Sequence, residues 1–337
     1  MEKIGLVGFP NAGKSTFFFI VTGKDVERNI YPFTTVGKNE GKAEIEDELL
    51  KKLADKNRST EIRNFKINIY DIAGIIEGAH RGEGLGNEFL SYIREADLLI
   101  FILRGFKDER VSSYLNEISP EKEREILLLE LSISDLDRIE KKLQEKNLDK
   151  KLKDKLTEAK EKILKGIEPE DIKNFPLLMA KKKIYVINSD DKNKDYKLNV
   201  REKYFVSPLK IFEELREFNE KERCEILKEL KKEGFDTPSE ILEYAFSYLD
   251  FIRFYTLKGE IASSFPLKRG STAYEAAGKI HSDIQKGFIK VEVTKPFNFL
   301  ETPSWRELKE KGLIEIHGPD YIVKDRDILE FKFSSTL

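Results

Sequence analysis

The sequence predicts an α/β protein, a doubly wound parallel sheet interrupted by an antiparallel α-helical hairpin and followed by a small α+β domain. Three observations carry that expectation. Short apolar runs alternate with helical patterns over the first part of the chain, as they do in parallel sheets with crossover helices. Between the third and fourth of these runs, apolar residues recur at spacings of three and four over two successive stretches, which is a helical period. Beyond Phe254, two capping-box sequences, Thr272-Ala-Tyr-Glu275 and Ser304-Trp-Arg-Glu307, stand among further apolar runs.

The elements follow in order. Lys3 to Val7, Phe65 to Tyr70, Leu98 to Leu103 and Lys183 to Ile187 read as buried strands, each followed by a loop carrying Gly, Asp or Asn. In doubly wound sheets, ligands bind at the carboxyl ends of such strands. Ile126, Leu129, Ile133, Leu136 and Leu143 give one hairpin helix its apolar face; Leu152, Leu156, Ala159 and Ile163 give the other. The polar break Asn147 to Lys151 separates them. Lys146, Lys150, Lys151, Lys153 and Lys155 gather there against Glu145, Asp149 and Asp154, a charge run that ordinarily forms a solvated tip.

In the last region, Thr272 opens a helix with Ala276, Ala277 and Ile280 inward, and Gly287 stops it before a strand from Phe288 to Val293. Ser304 opens a second helix, ended by Gly312, and strands Tyr321 to Val323 and Ile328 to Phe333 follow the Gly318-Pro-Asp turn. The expected domains are 1–118 with 177–250 for the sheet, 119–176 for the helical coiled-coil insertion, and 251–337 for the α+β domain.

Composition narrows the function. Charged residues make up 36% of the 337, yet 60 basic and 62 acidic side chains leave a formal charge of −2. No global basic field exists, so any RNA contact has to come from a local patch. Cys224 is the only cysteine, which excludes an intrachain disulfide and a thiolate metal cluster, and three histidines argue against a zinc site. The densest apolar stretch, Leu98 to Leu103, is far too short to span a bilayer. The first residues run straight into a strand, leaving no room for a signal peptide. The expectation is a cytoplasmic protein with no membrane partner.

Gly8-Phe-Pro-Asn-Ala-Gly13-Lys14-Ser15 fits G-x-x-x-x-G-K-[ST] between a strand and a helix, the setting of a phosphate-binding P-loop. Its glycines let backbone N–H groups turn inward, Lys14 neutralises β and γ phosphate charge, and the Ser15 hydroxyl ligates Mg²⁺. Asn11, Ala12, Gly13, Lys14, Ser15 and Thr16 are the candidate nucleotide-binding residues of this loop. Asp71-Ile-Ala-Gly74 closes the second strand; Asp71 is placed to hold Mg²⁺ through water and the Gly74 N–H to meet the γ phosphate. Pro32-Phe-Thr-Thr35 lies between the two, with Thr35 as the second hydroxyl on Mg²⁺. The candidate metal ligands are therefore Ser15, Thr35 and Asp71, and Lys14, Gly74 and Asn11 the candidate catalytic residues. Together these motifs define a switch hydrolase of ATP or GTP, in which the γ phosphate orders two loops.

The stretch Asp71-Ile-Ala-Gly-Ile-Ile-Glu-Gly-Ala-His-Arg-Gly-Glu-Gly-Leu-Gly-Asn-Glu-Phe-Leu90, after Gly8-Phe-Pro-Asn-Ala-Gly-Lys-Ser-Thr16, resembles the Obg-related GTPases, and most nearly their YchF (Obg-like ATPase) branch. The resemblance runs over nearly the whole chain, and Gly270 to Ile289 is similar to that family's TGS domain. It implies a ubiquitin-like β-grasp fold at the carboxyl terminus, a role linked to the ribosome or RNA, and a preference for ATP over GTP.

The departures bear on base choice and rate. Asn188-Ser-Asp-Asp191 stands where typical GTPases carry Asn-Lys-x-Asp and the YchF branch Asn-x-x-Glu. The Asp191 carboxylate suits guanine N1–H and N2–H₂, but Ser189 lacks the Lys stem that packs on the base. With Ser207-Pro208 as the second base loop, Pro208 has no N–H for guanine O6. Asn188, Asp191 and Ser207 are the candidate base contacts, and ATP and GTP both stay open. Ile75 follows Gly74 where many small GTPases place a water-orienting glutamine. The family uses a histidine in the loop after the third strand, but Phe106 to Tyr114 holds none, with Ser112-Ser113 in that neighbourhood. His80 is a substitute candidate, against a packing role. Basal hydrolysis is therefore expected to be slow. Asn11 is a candidate K⁺ ligand in place of an arginine finger, with a loop-stabilising side chain as the alternative. A nucleotide-regulated binding module with negligible turnover is the first rival to the switch hydrolase; a non-ribosomal enzyme such as a nucleotide-dependent kinase is the second, and the absence of any second phosphate-acceptor motif speaks against it.

Overall fold

The computed structural model describes residues 3–24, 38–72, 85–108, 110–111, 115, 117–190, 193–302 and 304–334. In chain order it forms β1 (Lys3–Val7), α1 (Lys14–Thr22), β2 (Lys38–Glu44), α2 (Glu48–Asn57), β3 (Glu61–Arg63), β4 (Lys66–Ile72), α3 (Leu85–Glu95), β5 (Leu98–Gly105), α4 (Pro120–Leu143) and α5 (Lys150–Leu164). There follow β6 (Lys182–Ser189), β7 (Tyr204–Ser207), α6 (Leu209–Glu214), α7 (Glu220–Glu233), α8 (Pro238–Tyr248), β8 (Phe251–Lys258) and β9 (Ile261–Lys268). The chain ends with α9 (Ala273–Ile280), α10 (Ser282–Lys286), β10 (Phe288–Thr294), α11 (Pro296–Glu301), α12 (Trp305–Glu310), β11 (Glu315–His317) and β12 (Asp327–Phe333).

The chain divides into two compact units, 1–43 with 67–241 and 44–66 with 242–337. In the first, six strands lie in the order β2-β4-β1-β5-β6-β7. β1 runs parallel to β4 and β5, β5 to β6 and β6 to β7. All eight residues of β5 are buried, as expected of a central parallel strand covered on both faces, which reads as a continuous apolar run. The four strands expected from sequence are all present, within two residues at their ends.

The helical hairpin stands between β5 and β6 as expected, but its first helix turns a different face inward. Leu127, Leu131 and Ile139 are buried together with Glu123, Glu130, Ser134 and Asp135, whereas Leu129 is 57% exposed. Buried acceptors explain the shift: Met179 N–H donates to Asp135 (2.8 Å) and Arg104 N–H to Glu123 (2.7 Å). Polar side chains with such partners occupy core positions that an apolar pattern assigns to leucine. On α5, Leu156, Ala159 and Ile163 are buried as expected.

In the second unit the sheet order is β11-β10-β12-β8-β9-β3. β8 and β9 form a hairpin, β10 pairs antiparallel with β11 and β12, and β8 and β12 lie parallel in the middle. Buried Ala273 and Ala276 of α9 join the core of this sheet. A mixed sheet in which the first and last strands of the carboxyl-terminal segment, β8 and β12, pair centrally and α9 packs on the core is the expected β-grasp. Thr272 caps α9 in a reciprocal box with Glu275, and Ser304 accepts from Glu307 N–H at the start of α12. Residues 321–323, expected as a strand, make only a single bridge, Thr272 with Ile322.

The segment 44–66 had been expected in the sheet domain, and 242–250 with it. Instead β3 extends the second sheet through parallel pairing with β9. Asp47 fastens the segment there. It caps α2 by accepting from Leu49 and Leu50 N–H, and accepts from Arg253 (3.0 Å) and Tyr255 O–H (2.6 Å) on β8.

Candidate functional site

The loop between β1 and α1 is bent at two residues that tolerate no larger side chain. Gly13 has φ +107°, and a Cβ there would stand 2.3 Å from the Asn188 amide nitrogen; at Gly8 it would stand 2.4 Å from the Ile102 carbonyl oxygen. Asn11 takes φ +64°, a left-handed conformation that asparagine accepts more readily than most residues. Its side chain lies on the exposed side of the loop.

Helix α1 begins without a side-chain cap, as do the short helices α6 and α11, whereas α2, α4, α5, α7, α9 and α12 are each capped by a side chain. The first-turn N–H groups of a helix need acceptors, and an uncapped start behind a glycine bend offers them to an anion. Thr16 lies in this first turn, half-buried.

Lys14 is 6% exposed and donates to the carbonyls of Gly8 (3.1 Å) and Phe9 (2.9 Å). Burial pulls its ammonium below the ordinary lysine range, opposed by the charges of Asp71 and Glu123. Desolvated and held by two carbonyls, its charge gains more from an incoming polyanion than a surface lysine would.

Ser15 Oγ donates to Asp71 Oδ2 at 2.8 Å, across the gap between α1 and the end of β4. The register of β1 against β4 places Leu6 beside Asp71, and so aligns the carboxylate with the loop. A hydroxyl and a carboxylate side by side suit Mg²⁺, a hard cation that keeps waters and takes phosphate oxygens rather than a full protein cage. No group of three His, Cys, Asp or Glu able to cage a metal occurs among the described residues.

Asn188, at the end of β6, is engaged inside the protein. Its Nδ2 donates to Ala12 O (3.0 Å) and its Oδ1 accepts from Leu209 N–H (3.2 Å). It ties the phosphate loop to the start of α6. Ser207, paired in register with Asn188, is fully buried, and the hydroxyls of Ser189 and Ser207 have no hydrogen-bond partner among the described residues. Pro208 stands at the N-cap of α6. Thr35, Gly74 and Asp191, with Ile75, His80 and Ser112-Ser113, lie outside the described residues.

Two residues near the loop escape sequence reading. Glu123, in the first turn of α4, accepts from Arg104 N–H, and burial pushes its carboxyl up to about 7 against the pull of Arg104 and Lys14. The Arg104 guanidinium donates to the carbonyls of Phe106 (3.2 Å) and Val111 (3.0 Å), organising the loop after β5. The one sequence cue was the Ser119-Pro120 helix start, which puts Glu123 one turn in; a glutamate there ordinarily reads as dipole-favoured and solvated.

A strand-end loop that wraps its backbone around an uncapped helix start suits the polyphosphate of a nucleotide, and the class of protein is a GTPase-type P-loop NTPase. Comparison with known proteins agrees and is narrower. Residues 3–131 match the family described as 50S ribosome-binding GTPase, and residues 251–334 the carboxyl-terminal domain family of YchF-type GTPases, itself described as of unknown function. The chain is 32% identical to the ribosome-binding ATPase YchF of Mycoplasma genitalium, covering 100% of both proteins. It is 31% identical to human Obg-like ATPase 1, covering 99% of this chain and 92% of the relative. The structure of the Schizosaccharomyces pombe YchF GTPase superposes with a TM-score of 0.79 at 25% identity, over 98% of this chain and 97% of that one. This chain belongs to the YchF/Obg-like ATPase family. No helix among the described residues is long and apolar enough to cross a membrane.

Proposed function

We propose that this chain is a Mg²⁺-dependent switch hydrolase of ATP or GTP that works in contact with a ribosome. The observation that carries the chemical half is the Ser15–Asp71 pair at the uncapped start of α1. In this reading the N–H groups of Asn11 to Thr16 and the Lys14 ammonium bind and orient the β and γ phosphates. Ser15 and Thr35 would supply hydroxyls and Asp71 a carboxylate to hold Mg²⁺, which when bound would neutralise charge on the transferring phosphoryl. Gly74 offers its N–H to the γ phosphate, so that the loops bearing Thr35 and Gly74 respond to its presence. The ribosome half is supported by the relatives named as ribosome-binding ATPases.

Ile75 carries no polar atom to orient water, so the isolated protein turns over slowly and a partner completes the site. Single-turnover hydrolysis with and without ribosomes tests this. Stimulation of tenfold or more supports the switch hydrolase, and equal rates would leave a nucleotide-regulated binding module.

Base discrimination is weak in this reading. Asp191 favours guanine, while Ser189, Pro208 and the ATPase-named relatives favour adenine, so the two affinities differ by about tenfold or less, under ~1.4 kcal/mol. Asn11 is exposed on the loop and is proposed as a K⁺ ligand beside the transferring phosphate. Replacing Na⁺ by K⁺ at constant ionic strength then raises turnover in the wild type and not in Asn11→Ala. Equal rates in both salts would reduce Asn11 to a loop-forming residue.

A further inference from the structure

Two buried cations share one buried carboxyl beside the phosphate loop. Lys14 and Arg104 are 6% and 4% exposed, and burial pulls both below their ordinary ranges. Asp71 and Glu123 oppose that pull on Lys14, and Glu123 and Asp108 oppose it on Arg104. Glu123 is itself 3% exposed. Its Oε2 accepts from Arg104 N–H at 2.7 Å, while the Arg104 guanidinium turns to the carbonyls of the loop after β5.

That hydrogen bond does not require a carboxylate. A glutamine oxygen accepts the same N–H at a smaller desolvation cost. What a carboxylate adds is charge: among the buried members, Asp71 and Glu123 balance Lys14 and Arg104. Nearby charges are engaged with one another. On α4, Lys122 pairs with Glu117 and Arg124 with Glu121; Asp108 pairs with Arg110, and α5 meets α4 through Lys160 and Glu140. Among the described residues, Lys14 from α1 and Arg104 from β5 are the charges that act on Glu123.

A polyphosphate arriving on Lys14 upsets this balance. It supplies the negative charge that Lys14 attracts, and so cancels an attraction that favours Glu123 as an anion. It also brings like charge into a region of low dielectric, where anions repel strongly. A proton on Oε1 relieves both effects, because the neutral carboxyl still accepts from Arg104 N–H through Oε2 and costs less to bury. Burial already raises this carboxyl to about 7, so a modest push suffices near neutral pH.

We propose that Glu123 is a positioning residue for Lys14: it is the counter-charge of that ammonium until a triphosphate replaces it, and it then takes a proton from solvent. The proposal rests on the triphosphate reading above. Nucleotide binding is thereby coupled to proton uptake, and affinity falls as pH rises above about 7. Well below that value the carboxyl is protonated with or without nucleotide, and the linkage vanishes.

The test is titration calorimetry of the full-length protein at pH 7.5 in buffers of different ionisation enthalpy. The probe is the β,γ-imido analogue of ATP with saturating Mg²⁺, which keeps its γ phosphate deprotonated. Wild type is compared with Glu123→Gln, which keeps the acceptor for Arg104 and loses the titration. The slope of observed heat against buffer ionisation enthalpy gives the protons taken up. The expected uptake in the wild type exceeds that in the variant by about 0.3–0.6 proton. Between pH 7 and pH 8.5 the wild-type affinity weakens by about threefold or more beyond any change in the variant. Difference infrared spectra of the wild type give a second readout, a gain in carboxylic-acid C=O absorption when the analogue binds. Equal slopes in the two proteins, or no such gain in the wild type, would overturn the proposal and leave the loop a triphosphate site. An analogue that does not bind the wild type at all sinks the triphosphate reading, and the proposal with it.

Discussion

Glu123 is 3% exposed and accepts a hydrogen bond from Arg104 N–H, with Lys14 and the Arg104 guanidinium as its charged neighbours. Burial raises its carboxyl from an unfolded value of about 4.3 to about 7, so the folded state favours the protonated form. The stability it contributes is complete below the unfolded value and is lost as pH rises through about 7, a swing of order 3 kcal/mol. Denaturant midpoints measured from pH 5 to pH 8 are expected to fall in the wild type and to fall less in Glu123→Gln, which keeps the acceptor for Arg104. Coincident pH profiles would mean that Glu123 is ionised throughout. At this scale the site divides by how local its chemistry is. Lys14, Ser15 and Asp71 were legible because a phosphate loop and a strand-end Asp announce themselves by spacing. Glu123 and Arg104 were not, since nothing local tells a buried glutamate on a charged helix from a solvated one. Asn188 was legible as a position only; its role as a brace between Ala12 and Leu209 depends on a fold that joins residues far apart in the chain.

Among the elements, α4 and α2 show where patterning fails. The period of α4 is plain, so the helix and its antiparallel partner could be placed from sequence. Its inward face could not, because Glu123, Glu130 and Asp135 occupy core positions and leave Leu129 outside. For α2, the cap residue Asp47 also anchors the helix to β8 through Arg253 and Tyr255. Its carboxyl is held below the ordinary range: burial pushes it up, and the hydrogen bonds of Tyr255 and Arg253 outweigh that push. The stabilisation is present above the unfolded value of about 3.9 and is lost as pH falls below it. Asp47→Ala removes the cap and one partner of the buried Arg253, which keeps Glu243; a loss of roughly 3 kcal/mol is expected. Calorimetric unfolding of the variant checks this, and an unchanged transition would show that 44–66 is not fastened through Asp47.

For the whole molecule, the order of motifs along the chain was enough to place a P-loop sheet, an inserted hairpin and a β-grasp domain. It was not enough to show that 44–66 leaves the first unit for the second. Short segments such as β3, three residues long with none of them buried, carry no apolar pattern to declare their partner, and only pairing with β9 reveals it. The account's central claim is that the loop from Gly8 to Ser15 binds the triphosphate of a purine nucleotide through Lys14. Titration calorimetry of Mg·ATP and Mg·GTP into the wild type and Lys14→Ala, on folded and matched preparations, tests it most directly. The account predicts that both nucleotides bind the wild type within about tenfold of each other. It also predicts that binding weakens at least a hundredfold in the variant, about 2.7 kcal/mol, the scale of one or two charge-assisted hydrogen bonds. Wild-type affinity for triphosphate in Lys14→Ala would contradict it.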